Sequence, residues 1–188
     1  MSDRAIAAQL LKIEHWNFAK KMGLVNGDEK AIDFNLLIKA LSTIDKLSKE
    51  NNAFAKRLVV LLVSLIWEYS NVNFRNSFRE IFTVVLSRIG VAPSSIVLDD
   101  NYKLHNRYSA TNSYFSELSI LINQLENEIV LGGKSYLLTE FQKKLWDKIE
   151  EQKILGISAP TSAGKSFIIY LKIVDLILKA TSKNRFFE

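Results

Sequence analysis

Residues Ala53 to Tyr69 carry apolar side chains on nearly every side of a helix, and a chain with such a segment must cover it with others. Its most apolar stretch, Leu58–Ile66, is interrupted by Ser64 and bounded by Arg57 and Glu68. That is far too short to cross a bilayer, so it reads as the central helix of a bundle. Four more segments offer matching faces. Ile6, Leu10, Ile13 and Trp16 recur at helical spacing before Gly23, and Phe34, Leu37, Ile38, Leu41, Ile44 and Leu47 mark a second helix. Phe74, Phe78, Ile81, Phe82, Val85 and Ile89 give a fourth, stopped by Gly90 and Pro93. Pro, Ser and Asp-Asp-Asn between Val91 and about Asn106 predict a loop. Phe115, Leu118, Ile122, Leu125 and Ile129 then give a fifth helix, and five such helices can build a core without any strand.

Gly132-Gly133 breaks this pattern and divides the chain at about residue 130. Val130-Leu131 and Tyr136-Leu137 on either side suit a small hairpin or a plain linker equally. Charge changes across the same point. Met1–Glu128 holds 15 Lys+Arg against 14 Asp+Glu, whereas Ile129–Glu188 holds 10 against 6. The near-neutral first part lacks the basic stripe of a nucleic-acid platform, which favours packing or a protein partner there. The absence of cysteine excludes disulfides and thiolate zinc sites. The opening Met1-Ser2-Asp3-Arg4 leads into an amphipathic stretch without a signal-peptide pattern, so cytoplasmic residence is expected, with no membrane partner.

Beyond the boundary, Thr139–Glu151 reads as a short helix, Ile154–Ile157 as an apolar strand, Ser158–Gly164 as a loop and Ser166–Ala180 as an apolar helix covered on several sides. Strand, loop and helix in this order open an α/β fold. Within it, Ala159, Pro160, Thr161, Ser162, Ala163, Gly164, Lys165 and Ser166 fit the phosphate-loop pattern, with Ala in the first position. A small first residue and Gly164 let the backbone wrap tightly, so that successive N–H groups and the next helix's N-terminus face an anion. Lys165 supplies positive charge to the β- and γ-phosphates, and Ser166 offers a hydroxyl to Mg²⁺ held through the nucleotide.

The wording from Ser158 to Ser166 resembles motif I of superfamily 2 (DEAD/DEAH-box-like) DNA and RNA helicases, where Ala-Pro-Thr precedes Gly-Lys. Upstream, Leu138–Leu145 resembles the segment in which a glutamine of those enzymes reads the adenine edge; Gln142 lies 22 residues before Gly164. The likeness covers about Leu137–Lys179. It implies ATP and Mg²⁺ as ligands, a RecA-like first motor lobe beginning in residues 131–188, and force exerted on DNA or RNA. Thr139 and Gln142 also form a capping box, so Gln142 has two readings, helix cap and adenine contact.

The motor chemistry of that superfamily needs an Asp-Glu motif downstream of motif I. Asp28-Glu29 and Asp99-Asp100 precede the loop, and Arg185-Phe186-Phe187-Glu188 follows soon after its helix. The expectation is therefore an N-terminal piece of a helicase: a helical accessory domain over residues 1–130, then the start of the motor, with no catalytic residue of its own and no efficient hydrolysis. The rival expectation is a helical protein-interaction module with an idle phosphate loop, of a kind that some bacterial antiviral-defence helicases carry. Other residues point nowhere specific. His15 and His105 sit in different elements, Arg75 and Arg79 read as a solvated helix face, and Trp16, Trp67 and Trp146 read as packing anchors.

Overall fold

The computed structural model describes residues 2–98, 113–151, 155–159 and 163–184. Among them the protein is mainly helical with one small two-stranded sheet. Helices α1 (Asp3–Lys21), α2 (Phe34–Ser48), α3 (Ala53–Tyr69) and α4 (Val72–Arg88) form the bundle that the periodicities predict. Their starts are written in short polar residues. Ser2, Asp33 and Asn52 each accept the backbone N–H three residues on, satisfying donors that a helix N-terminus leaves unpaired.

α3 is the hub, touching α1, α2 and α4. Ala55, Val59, Leu62 and Ile66 are fully buried along it. Around them pack Ile6 and Leu10 of α1, Ala40 and Ile44 of α2, and Phe78, Phe82 and Leu86 of α4. Between α1 and α2 the chain is tied back by buried Asn17, whose amide donates to the Lys30 carbonyl at 2.8 Å and accepts the Lys30 N–H at 2.7 Å. Arg88 joins α4 to α2 through the Ser48 hydroxyl at 2.9 Å.

The predicted loop after α4 holds a 3₁₀ helix at Ala92–Val97, with Pro93 at its start and Ser95 buried; the rest of that loop, with Asp99, Asp100 and His105, lies outside the described residues. Two corrections concern α5 (Tyr114–Asn127). Ile129 is not its last turn but part of strand β1 (Glu128–Leu131), where the β-branched pair Ile129-Val130 precedes two turn glycines. Its apolar stripe does not fill the bundle either. Phe115, Leu118, Ile122 and Leu125 are exposed, while Ile120 is buried and α5 lies on α4. Helical spacing shows which residues share a face, but not which face a neighbour covers.

The hairpin reading holds. β1 pairs antiparallel with β2 (Lys134–Leu137) through Gly132-Gly133, at φ +55° and +76°, the left-handed pair that a two-residue turn requires. Helices α6 (Glu140–Glu151) and α7 (Lys165–Asn184) follow. Ile129, Leu131, Leu138, Leu145, Trp146, Ile168 and Leu171 make a second apolar cluster, with Leu155 and Ile157 packed at its edge.

Residues Leu155–Ala159 are not a strand, contrary to the strand–loop–helix expectation, and Ile154 lies outside the described residues. A strand exists only through pairing, and the two-stranded sheet does not include this segment. A RecA-like sheet is therefore not present among the described residues. The α7 expectation also needs correcting. Phe167, Ile169, Tyr170, Ile173, Val174, Leu176, Ile177 and Leu178 are exposed, whereas Ile168 and Leu171 are buried together with Lys172 and Asp175. No helix among the described residues is long and apolar enough to cross a membrane.

Candidate phosphate-binding loop

Two ends of the candidate site meet where α6 and α7 begin. Thr139 caps α6: its hydroxyl accepts the Gln142 N–H at 3.3 Å, and the Gln142 side-chain oxygen accepts the Thr139 N–H at 3.0 Å. The capping-box reading of Gln142 is thus realised. Its Nε2 remains, and the fold places it against the phosphate-loop glycine. A methyl group on Gly164 would lie 2.4 Å from that nitrogen. Gly164 also has φ +74°, a conformation that favours glycine. Two independent constraints, backbone conformation and the Gln142 amide, therefore favour glycine at this position.

From Gly164 the chain enters α7 directly, with Lys165 as its first residue. Lys165 Nζ donates to the Ala159 carbonyl, so its ammonium reaches back across the loop to the residue that opens the motif. Ser166 is exposed in the first turn, among backbone N–H groups that have no partner within the helix. Ala159, Ala163 and Gly164 are half-buried. Pro160, Thr161 and Ser162 complete the predicted site but lie outside the described residues. Of the nine residues expected at the nucleotide site, the structure brings Gln142, Ala159, Ala163, Gly164, Lys165 and Ser166 to one end of α7. That end holds the Lys165 ammonium, bonded to the Ala159 carbonyl, the exposed Ser166 and the first amides of α7, which are the kinds of donor an anion takes.

Behind the loop an ionic cluster fastens α7 to α6. Lys172 Nζ lies 4.0 Å from the centre of the buried Trp146 ring, is ion-paired to Glu150, and reaches Asp175 at 3.4 Å. Lys179 bonds Asp175 at 2.8 Å. The hydrogen bond from Lys172 holds the Glu150 carboxyl below its ordinary range. Burial pushes Asp175 upward, yet the hydrogen bond and charge of Lys179, joined by Lys172, leave it lowered. Bonding to Asp175 raises Lys179.

A second set of polar contacts ties α6 to the bundle. Glu140, its first residue, bonds Lys56 of α3 at 2.5 Å and Lys144 at 2.6 Å, and its N–H donates to the Gly90 carbonyl at 2.8 Å. The Lys144 and Lys56 hydrogen bonds lower the Glu140 pKa. Gly90 has φ +79°, and a methyl group there would meet Glu140 at 2.7 Å.

Sequence reasoning missed Glu140 and Lys172. For Lys172 the only signal misled, because a lysine and an aspartate three residues apart on a helix ordinarily form a solvated pair. For Glu140 there was none, since Lys56 lies 84 residues away. The remaining sequence candidates stand apart from the loop. His15 is exposed. The side chain of Arg75 is not simply solvated, for it lies 5.9 Å from the Trp67 ring centre and donates to the Glu68 carbonyl at 2.6 Å. Arg79 is half-buried and bonds Asn76 at 3.1 Å. Of the tryptophans, Trp146 is buried, and Trp16 and Trp67 are half-buried at the bundle's edge. No cluster of three or more metal-ligating side chains occurs among the described residues. Compared with models of protein families, with curated proteins and with solved structures, the chain matches none.

Proposed function

We propose that this chain is the N-terminal region of an ATP-dependent superfamily 2 DNA or RNA helicase, a helical accessory part followed by the start of its first motor lobe. Ala159, Pro160, Thr161, Ser162, Ala163, Gly164 and Lys165 hold the phosphates, Ser166 meets Mg²⁺ through the nucleotide, and Gln142 reads the adenine. One observation carries the reading. Gln142 and Gly164, 22 residues apart in the sequence and both singled out by the helicase resemblance, lie in contact. A chance match to the loop pattern gives no reason for that meeting.

The exposed apolar side chains of α7 support the same reading, because the helix that follows a phosphate loop in an α/β lobe packs against a sheet. Bound ATP supplies a transferable phosphoryl group; this chain's own part is to cradle, orient and neutralise it. Lys165 does so by exchanging the Ala159 carbonyl for phosphate oxygens. The test is equilibrium binding of ATP to the chain with and without Mg²⁺. Binding that requires Mg²⁺ and vanishes in Lys165→Ala is expected, and no binding to the wild-type chain refutes the reading.

A second reading, a helical interaction module with an idle loop, has an observation of its own. The Gln142 oxygen is committed to the cap and the Lys165 ammonium to Ala159, so both groups already have partners. The same titration separates the two, because an idle loop leaves Lys165→Ala without effect.

A further inference from the structure

We infer that Glu140 couples the helical bundle to the nucleotide site, so that the bundle sets how tightly the adenine end of a nucleotide is held. The inference rests on the phosphate-loop reading and adds a positioning residue to it. It begins with the start of α6. A helix N-terminus leaves its first N–H groups unpaired. In α6, Thr139 and Gln142 satisfy two donors between themselves, but the Glu140 N–H is satisfied from outside the helix, by the carbonyl of Gly90 in the turn that follows α4. The Glu140 carboxylate is then gripped from α3 by Lys56. Two parts of the bundle thus complete a turn that sits two residues from Gln142, and Gln142 in turn abuts Gly164.

The fit on the bundle side leaves little room. At Gly90 a β-carbon would fall 2.7 Å from both Cβ and Oε2 of Glu140, so the first turn of α6 rests directly on bundle backbone. Beside the contact the structure is open. A polar cleft of about 420 Å³ is lined by Asn51, Lys56, Arg88, Gly90, Glu140 and Lys144. The apolar clusters on either side of this junction are separate. Few polar bonds at the edge of a cleft can open without breaking either core, which is what a coupling element requires. A helix cap needs no residue from α3, so Lys56 serves the placement of the turn rather than its formation.

The experiment measures binding of MgATP and of Mg²⁺-bound inorganic tripolyphosphate to the full chain, in the wild type and in Lys56→Met, Lys56→Arg and Gly90→Ala. Thermal unfolding checks that each variant is folded. Lys56→Met is expected to weaken ATP about fivefold and tripolyphosphate less, because Gln142 of the α6 turn reads the adenine directly and meets the phosphates only through its contact with Gly164. Lys56→Arg restores the charge and is expected to recover the ATP affinity, whereas Gly90→Ala, which displaces Glu140, reproduces the selective loss. In Lys56→Met the amides of the first α6 turn also exchange faster with solvent. Equal ATP affinity in Lys56→Met and wild type overturns the coupling, as does an equal loss for both ligands. Failure of the wild-type chain to bind either ligand overturns the phosphate-loop reading instead, and the coupling with it.

Discussion

Gly164→Ala isolates the contact on which the functional reading depends. The backbone at Gly164 has φ +74°, where an alanine costs about 1 kcal/mol more than glycine. That cost says nothing about function. The second contribution does. The new β-carbon would sit 2.4 Å from Gln142 Nε2, so the glutamine amide must move by about 1 Å to reach ordinary contact. The oxygen of that same amide accepts the Thr139 N–H at 3.0 Å, so moving it forfeits one cap bond, about 1 kcal/mol. The expected loss is thus about 2 kcal/mol.

Gly133 supplies the calibration. Its φ is +76°, and a β-carbon there meets nothing within 4 Å, so Gly133→Ala should cost about 1 kcal/mol, the conformational part alone. The difference of about 1 kcal/mol between the two variants measures Gln142. In a Gln142→Ala background the cap bond is already gone, and Gly164→Ala should fall to the Gly133 value. Urea unfolding reads these differences, followed by Trp146 fluorescence in a chain where Trp16 and Trp67 are replaced by Phe. Trp146 reports on the right part, being buried between α6 and α7. Equal costs for Gly164→Ala and Gly133→Ala would refute the reasoning. So would a Gly164→Ala cost that stays the same when Gln142 is absent.

Two further perturbations probe the frame around the site. Leu62→Ala removes a fully buried side chain from α3 and should destabilise the bundle by about 3 kcal/mol in denaturant unfolding, while the neighbouring Leu61→Ala, exposed, should cost under about 1 kcal/mol. Acid should loosen the packing of α6 and α7. The folded pKa values of Glu140, Glu150 and Asp175 are all lowered, so the stability they contribute is full above the ordinary values of 4.5 for Glu and 3.8 for Asp, and disappears as pH falls through the lowered folded values. The urea midpoint reported by Trp146 should hold steady at neutral pH and decline below about pH 4.5, less so in Glu150→Gln. A midpoint that stays level through that range contradicts the ionic staple.

The helices of the bundle were legible because their signals are local. Apolar side chains recur at helical spacing, Gly90 and Pro93 announce a stop, and the all-round apolar α3 demands a central place. Gly132-Gly133 marked a break in the chain, with hairpin and linker equally open, and the structure makes it the left-handed turn of a hairpin. Ala159–Ser166 was legible as a pattern, and its Gly164 takes the left-handed φ that favours glycine. What the sequence concealed was relational. Phe115, Leu118, Ile122 and Leu125 make a regular stripe, but the side of α5 that meets α4 carries Ile120 instead. Leu155 and Ile157 look like a strand, and only a partner could have made them one.

α7 shows most clearly which forces orient the site. Hydrophobicity alone would turn Phe167, Ile173, Val174 and Ile177 inward and Lys172 and Asp175 outward, at about 1.5–3 kcal/mol for each large side chain covered. The structure has them reversed. Lys172 tolerates the inside because its ammonium lies over the Trp146 ring, with Glu150 and Asp175 balancing the charge, and Lys179 answers Asp175 one turn on. Its N-terminal end is fixed by Gly164 against Gln142. The direction of α7 is therefore set by buried Ile168 and Leu171, by its ion pairs and by the Gly164–Gln142 contact, with most of its apolar side chains left outside. On the proposed reading that inversion has a reason: the phosphate-binding end dictates the helix's position, and its apolar flanks are the surfaces that a motor-lobe sheet would cover.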